Sequence, residues 1–279
     1  MNSRLLEKKF IEMIEEDVGN GDITTEFTPE RKVRAEIISK EDCIVSGIEE
    51  LRILFNLSDI KVIKSAKDGD KIEMGQRVFL LEGSSKDILI VERTSLNILS
   101  RMSAISSLTS KFIKKARKSN PKIRIAATRK TTPLFKYFEK KAVKVAGGDT
   151  HRIGLYDAIL IKDNHLRLFK NIREAIKKFK RMKSFIHKIE IEVNSIEDTI
   201  TAAEEGVDII MFDNMSSEEI KRAISILKKK NLRDKVVLEA SGRINLDNIE
   251  KYAKTGVDII SLGHITNSAR AKDFSLRIL

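Results

Sequence analysis

The stretch GVDIIMFDN at residues 206–214 returns, fifty residues later, as GVDIISLGH at 256–264. Each copy opens on a glycine able to end a helix, continues as a β-branched run and closes on polar residues. An interval of 50 residues holds about two strand–helix units, as an α/β barrel spaces them. Runs of the same kind are IRIAA (123–127), AILI (158–161), IEIEV (189–193) and VVLEA (236–240). Continuous apolar runs interleaved with amphipathic helices predict parallel strands covered on both faces. Upstream the pattern differs. A helix over about 3–16 leads into Gly19-Asn20-Gly21-Asp22, followed by strand-like VRAEIIS (33–39), CIVSG (43–47), IKVIKSA (60–66) and KIEMGQRVFLLEGS (71–84). The last of these reads as a plain hairpin, and a long helix follows from about 86 to 118. The expected division is an α+β domain over 1–110 and an α/β barrel over 111–267, with the tail from about 268 to 279 free to return to the first domain.

Composition limits the function. The 279 residues are 41% hydrophobic and 34% charged, enough for a sizeable core and too charged for a membrane protein. No run approaches the roughly 18 apolar residues of a membrane helix, and the amphipathic N-terminus lacks the apolar segment of a secretion signal. The single cysteine, Cys43, excludes an internal disulfide and a cysteine-built metal site. A cytoplasmic protein is expected. The net charge of +12 fits either a nucleic-acid binder or an enzyme for polyanionic substrates. Aromatics are 5% and tryptophan is absent, while the lysines crowd helical runs such as REAIKKFKRMK (173–183) and IKRAISILKKK (220–230). Those are solvated helix faces, so neither nucleic acid nor membrane is expected as a partner.

The polar residues just past the strand runs carry the chemistry. They are Thr128-Arg129-Lys130, Lys162-Asp163-Asn164-His165, Asp213-Asn214, Ser241-Gly242 and Gly263-His264, with Glu192 near the end of its run. In a barrel all these ends open on one face, where catalysis takes place. The cations Arg129, Lys130, His151, Arg152 and Lys162 outnumber the carboxylates Glu192 and Asp213. Arginine and lysine suit carboxylates and phosphates. Two carboxylates plus substrate phosphates suit Mg²⁺. The loops after the last two strands are where barrels hold phosphate. An anionic organic acid and a phosphorylated sugar are therefore the expected ligands. No GxxxxGKS/T or GxGxxG run is present, and His151 and His165 stand 14 residues apart without zinc-type context.

TRKTTP (128–133), AGGDTHRIGLYDAILIKDNH (146–165), EIEVNSIED (190–198), MFDNM (211–215), EASG (239–242) and SLGHITNSA (261–269) resemble the quinolinate phosphoribosyltransferase family, as do EEDVGNGDITT (15–25) and ERTSLNILSRMSAISSLT (92–109). The resemblance runs nearly end to end. It implies an incomplete, seven-stranded α/β barrel with an N-terminal α/β sandwich, and transfer of phosphoribosyl from phosphoribosyl pyrophosphate to quinolinate with decarboxylation. By position, Arg129, Lys130, His151, Arg152 and Lys162 would hold the two carboxylates and part of the donor. Glu192 and Asp213 would lie by the ribose and Mg²⁺–pyrophosphate, and Ser241, Gly242 and Gly263, with His264 beside them, by the 5′-phosphate. Lys130, Lys162, Glu192 and Asp213 would be the catalytic set. The resemblance further implies a homodimer in which Arg93 reaches the neighbour's site, with Arg101 behind it on the same helix face. Thr24 and Thr25 after Asp22 read as turn and cap residues.

The chain departs from the family pattern at Leu134 and Ala146, where glycines are usual, at Arg243, where a small or neutral residue is common, and at His264 and Asn267. Two rivals remain: a molybdenum-operon relative on the same scaffold, against which the Lys162-Asp163-Asn164-His165 run speaks, and a basic nucleic-acid-binding barrel.

Overall fold

A computed structural model describes residues 1–279, which divide into two compact units. The first comprises Met1–Ser110, Thr132–Gly147 and Ser268–Leu279; the second comprises Lys111–Thr131 and Gly148–Asn267. In chain order the first unit begins with helices α1 (Ser3–Val18) and α2 (Ile23–Glu26) and strands β1 (Lys32–Ser39) and β2 (Cys43–Ile44). Helix α3 (Ile48–Leu57), strands β3 (Lys61–Ser65), β4 (Lys71–Ile72) and β5 (Arg77–Ser84) and the long helix α4 (Ser85–Arg117) follow, the end of α4 from Lys111 belonging to the second unit.

Helix α1 starts where the Asn2 side chain accepts the Leu5 N–H, and its period-3.6 stripe buries Leu6 and Phe10. The Asp22 carboxylate caps α2 by accepting from Thr24 and Thr25, so the cap is Asp22 and the two threonines lie within the helix itself. Strand β1 pairs antiparallel with β5, and β5 with β3. The 71–84 stretch is not a hairpin: β4 pairs with β2 instead. Turn residues Glu73–Gln76 swing the chain to another partner, a long-range choice that local periodicity does not encode. On the helix side, serines of α4 take over from a strand: Ser107 accepts the Ile44 N–H at 2.9 Å and Ser103 the Ser46 N–H at 3.1 Å.

The second unit carries β6 (Arg124–Ala126) and, after the excursion of α5 (Lys136–Val145), β7 (Ile159–Ile161), α6 (Asp163–Leu166), α7 (Ile172–Met182), β8 (Ile189–Val193) and α8 (Ile196–Glu204). Then come β9 (Ile209–Asp213), α9 (Ser217–Lys229), β10 (Val237–Ser241), α10 (Ile249–Ala253), β11 (Ile259–Ser261) and α11 (His264–Asn267). The final strand, β12 (Phe274–Ile278), pairs antiparallel with β1 in the first unit. Helix α5 also belongs there: Phe138 packs on Phe10 with ring centroids 6.0 Å apart, and the Tyr137 hydroxyl donates to Glu50 at 3.0 Å. Burying a phenylalanine of this kind contributes roughly 1.5–3 kcal/mol. That is reason enough for residues 132–147 to leave the barrel into which their chain position would put them.

Six strands form a parallel sheet in the order β6-β11-β10-β9-β8-β7. Asp149 adds a bridge on the far side of β6: its N–H donates to the Ile125 carbonyl at 2.8 Å and its carbonyl accepts from Ala127 at 2.9 Å. This seventh stave makes the incomplete barrel, and no ladder joins Asp149 to β7. The repeated GVDII motif is explained at the amino ends of the strands. Asp208 accepts the Ile189 N–H of β8, and Asp258 accepts the Leu238 N–H of β10, each at 2.8 Å. Each aspartate thus satisfies a donor in the first two residues of a neighbouring strand. The repeat is structural, and the chemistry lies at the other ends.

Candidate active site

The carboxyl ends of the parallel strands surround a cavity of about 620 Å³, well within the size of small-molecule sites. Successive side chains on a strand alternate faces, so Glu190 and Glu192 of β8, Met211 and Asp213 of β9, and Glu239 and Ser241 of β10 all point inward. The register agrees, pairing Glu192 with Met211, Met211 with Glu239, and Asp213 with Ser241. Ten of the residues singled out from sequence line this one cavity: Arg129, Lys130, His151, Arg152, Lys162, Glu192, Asp213, Ser241, Gly242 and Gly263. A larger hollow of about 720 Å³ opens at the amino ends of the strands. Two of its acids are already paired, Asp258 with Arg233 at 2.8 Å and Asp208 with Lys183 at 3.4 Å.

Positive charge dominates the cavity. Arg129, Lys130 and Arg243 make no ion pair, whereas Lys162 hydrogen-bonds Glu192. Burial, and after it the nearby charge of Arg129, press the Arg152 pKa below its ordinary value. Two guanidinium groups held against their mutual repulsion are poised for an anion that relieves it. The carboxylates Glu192 and Asp213 face the same space, and Asp213 accepts from the Asn214 amide at 3.1 Å. Two hard oxygen donors on one wall fit a Mg²⁺ ion that also takes ligands from phosphates.

At the end of β10 the chain turns through Gly242, with φ +117°. A Cβ there would meet Asn214 Oδ1 at 2.5 Å and Asn214 N at 2.9 Å, so only glycine allows the two loops to approach. The neighbouring Arg243, outside the family pattern, also lines the cavity and adds a further cation to this loop. Arg93 and His264 lie elsewhere. Arg93 is exposed on α4 in the first unit, and the exposed His264 turns its ring edge-on to Phe112, 6.2 Å away. Arg101 is held by Glu139 at 2.7 Å and the Ala269 carbonyl at 3.1 Å.

His151 differs from its expected part. It lines the cavity, yet both ring nitrogens face protein: Nδ1 accepts the Arg152 N–H at 2.8 Å, and Nε2 lies 3.4 Å from Glu190 and 3.4 Å from Glu239. Neither glutamate stood out in sequence. The available signal was a carboxylate in the middle of an apolar strand run, at IEIEV and VVLEA. Opposing pulls act on this assembly. Burial disfavours a charged ring, whereas the flanking carboxylates of Glu190 and Glu239 favour one. The Arg152 N–H, in contrast, requires a bare Nδ1. The second constraint decides, because a protonated Nδ1 would set two N–H groups head to head at 2.8 Å. The extra proton then stays on a carboxyl, consistent with Glu190, whose pKa burial pushes up. Either distribution leaves the trio with one negative charge.

Fold and cavity together define an α/β-barrel enzyme site for a strongly anionic ligand pair. The chain belongs to the quinolinate phosphoribosyl transferase family: residues 22–103 match its N-terminal domain and residues 105–277 its C-terminal domain. It is 48% identical to a probable carboxylating nicotinate-nucleotide pyrophosphorylase of Methanothermobacter thermautotrophicus, over 96% of both chains. It is 32% identical to the carboxylating nicotinate-nucleotide pyrophosphorylase of Homo sapiens, over 88% of this chain and 82% of that one. Among solved structures, the nicotinate-nucleotide pyrophosphorylase of Francisella tularensis superposes with a TM-score of 0.92 at 36% identity, covering 100% of this chain and 98% of that one.

Proposed function

We propose that this protein joins quinolinate to the phosphoribosyl group of phosphoribosyl pyrophosphate, releasing pyrophosphate and CO₂ and leaving nicotinate mononucleotide, a step of NAD biosynthesis. The observation that carries the reading is the single cavity in which five lysine and arginine side chains, Arg129, Lys130, Arg152, Lys162 and Arg243, face two carboxylates. That excess suits a dicarboxylate and a polyphosphate together.

Arg129 and Arg152 offer planar forks for the two pyridine carboxylates. Lys130 and Lys162 supply point charges toward the donor, with Glu192 and Asp213 beside the ribose hydroxyls. Ser241, Gly242 and Gly263, on the loops after β10 and β11, take the 5′-phosphate. The ring nitrogen bonds to ribose C1 as the C1–O bond to pyrophosphate breaks. The nitrogen becomes cationic and draws in the electron pair released when the C2–carboxylate bond breaks. CO₂ leaves, and a proton completes C2. Positioning and preorganised charge carry out this sequence without a covalent nucleophile. Glu192 and Asp213 would hold Mg²⁺, which would neutralise the leaving pyrophosphate; chelation with excess EDTA should then abolish turnover and added Mg²⁺ restore it.

The deciding assay supplies quinolinate, phosphoribosyl pyrophosphate and Mg²⁺ and measures CO₂ and pyrophosphate. Equimolar release supports the reading; turnover of nicotinate but not quinolinate refutes it. Arg93, exposed and outside the barrel unit, is read as serving a second copy of the chain in a homodimer. Mixed Arg93→Ala and Lys162→Ala subunits should then recover activity that neither variant has alone.

A further inference from the structure

The most unusual chemistry outside the direct ligand contacts is the pair of carboxylates in the barrel interior. Glu190 and Glu239 are each 1% exposed; Oε1 of Glu239 has no hydrogen-bond partner, and Oε1 of Glu190 has only the His151 ring beside it. Buried acids with unmet oxygens cost stability and are retained where they serve a purpose. The group they share is the His151 ring. Its Nε2 lies 3.4 Å from each acid, Oε1 of Glu190 and Oε2 of Glu239.

The backbone around that ring is itself unusual. His151 has φ +52°, a left-handed conformation that a side chain makes unfavourable by about 1–2 kcal/mol. Such a residue persists only where its surroundings over-determine it. Here they do. The His151 N–H donates to Asp149 at 2.7 Å, the Thr150 hydroxyl donates to the His151 carbonyl at 3.1 Å, and Nδ1 accepts from Arg152 N at 2.8 Å. Without the acids the ring would lose what holds its far edge, and the Arg152 backbone would lose the acceptor that fixes it. Arg152 then projects into the cavity, with one guanidinium nitrogen on the Ala158 carbonyl at 3.1 Å.

We propose that Glu190 and Glu239 are positioning residues: they clamp the His151 imidazole, and through it the left-handed turn that aims Arg152 at the anionic substrate. The inference rests on the cavity being the quinolinate site proposed above. The three side chains could also bind a metal, since one potential ligand atom from each lies within 4.8 Å of the others. The accepting Nδ1 and the 3.4 Å contacts suit an Nε2–H shared between two acceptors, and the half-buried carboxylates Glu192 and Asp213 already offer the cavity oxygen donors. We therefore take the hydrogen-bonded reading and let the experiment include the metal.

The test uses the full chain with Glu190→Gln, Glu239→Gln and, as the conservative variant, Glu239→Asp. Two readouts are made. ¹⁵N NMR of the histidine rings reports the His151 tautomer whether or not quinolinate is a substrate. Steady-state kinetics gives KM for each substrate. In the Gln variants we expect the His151 ring-nitrogen resonances to shift as the Nε2–H loses a charged acceptor, and KM for quinolinate to rise at least tenfold. KM for phosphoribosyl pyrophosphate should stay within twofold, with partial recovery in Glu239→Asp. A folded Gln variant with an unchanged His151 signal, or with an unchanged quinolinate KM beside an active parent, overturns the proposal. So does one equivalent of transition metal that survives dialysis against chelator in the parent and is lost in Glu239→Gln. A parent that never turns over quinolinate refutes the functional reading instead, while the NMR comparison still judges the clamp.

Discussion

Replacing Leu134 by glycine should stabilise the protein. Leu134 has φ +62° and is 84% exposed, so its side chain occupies a left-handed turn while burying almost nothing. The left-handed conformation costs an L-residue about 1–2 kcal/mol, which glycine avoids. Against this, glycine gives the unfolded chain more freedom, worth about 0.4–1 kcal/mol. The difference spans about 0–1.6 kcal/mol with a midpoint near 0.8, or roughly 2–3 °C in Tm for a chain of this size. The turn keeps its tether, because Lys9 donates to the Leu134 carbonyl at 3.1 Å, a backbone atom that the substitution leaves in place. Alanine is the control: it retains a Cβ, and hence the strain, and loses only exposed surface. Calorimetry of the parent, Leu134→Gly and Leu134→Ala under one set of conditions separates the causes. The expected order is Gly above Ala, with Ala close to the parent. If Ala raised Tm as much as Gly, removal of an exposed apolar side chain would be responsible and the backbone explanation would fail. If Gly lowered Tm, leucine would be making a contact that its exposure does not reveal.

Arg129→Ala and Arg152→Ala should each lower kcat/KM for quinolinate by roughly 30-fold to several thousand-fold, corresponding to about 2–5 kcal/mol for the loss of one partner of a desolvated charge pair; near-normal turnover in both would remove them from the substrate site. Arg243→Ala should raise KM for phosphoribosyl pyrophosphate several-fold with little change for quinolinate, since it lines the cavity beside Gly242. Equal kinetics would mean that it points to solvent. Glu36 is pressed below its usual 4.5 by the hydrogen bond from Arg77, aided by the charge of Arg277, which lies 2.9 Å away on β12. A depressed carboxyl stabilises the fold above its ordinary pKa and loses that contribution as pH falls through the lowered value. Glu36→Gln should therefore melt below the parent at neutral pH, and the two curves should converge as the solution is acidified below about pH 4. A constant gap at every pH would mean that packing, not charge, had been lost.

The barrel was legible because its signals are local. A parallel strand covered on both faces reads as an uninterrupted apolar run, and six such runs became β6 to β11 within a residue or two at each end. The polar residues past them converged because parallel strands share one carboxyl face, which is a property of topology and needs no contact information. What stayed hidden depends on partners remote in sequence. Strand β4 pairs with β2 rather than with its neighbour β5, and α5 leaves the barrel because Phe138 finds Phe10, 128 positions upstream. No period in the sequence encodes either choice.

His151 shows the same limit within the site. Its place beside Arg152 marked it as a cation for carboxylates, and the cavity does include it. Its ring, however, is occupied by an Arg152 N–H on one edge and two buried acids on the other. Strand alternation puts Glu190 and Glu192 on one face, but it does not tell depth. Two residues along the strand separate a carboxylate that borders the cavity and meets Lys162 from one that is sealed beneath and meets His151. Depth is set by how many layers of side chains fill the barrel, a quantity that belongs to the whole sheet. The same residue type therefore has two functions on one strand. The outer glutamate lines the cavity, and the inner one, on the proposal above, would act through the imidazole beside Arg152.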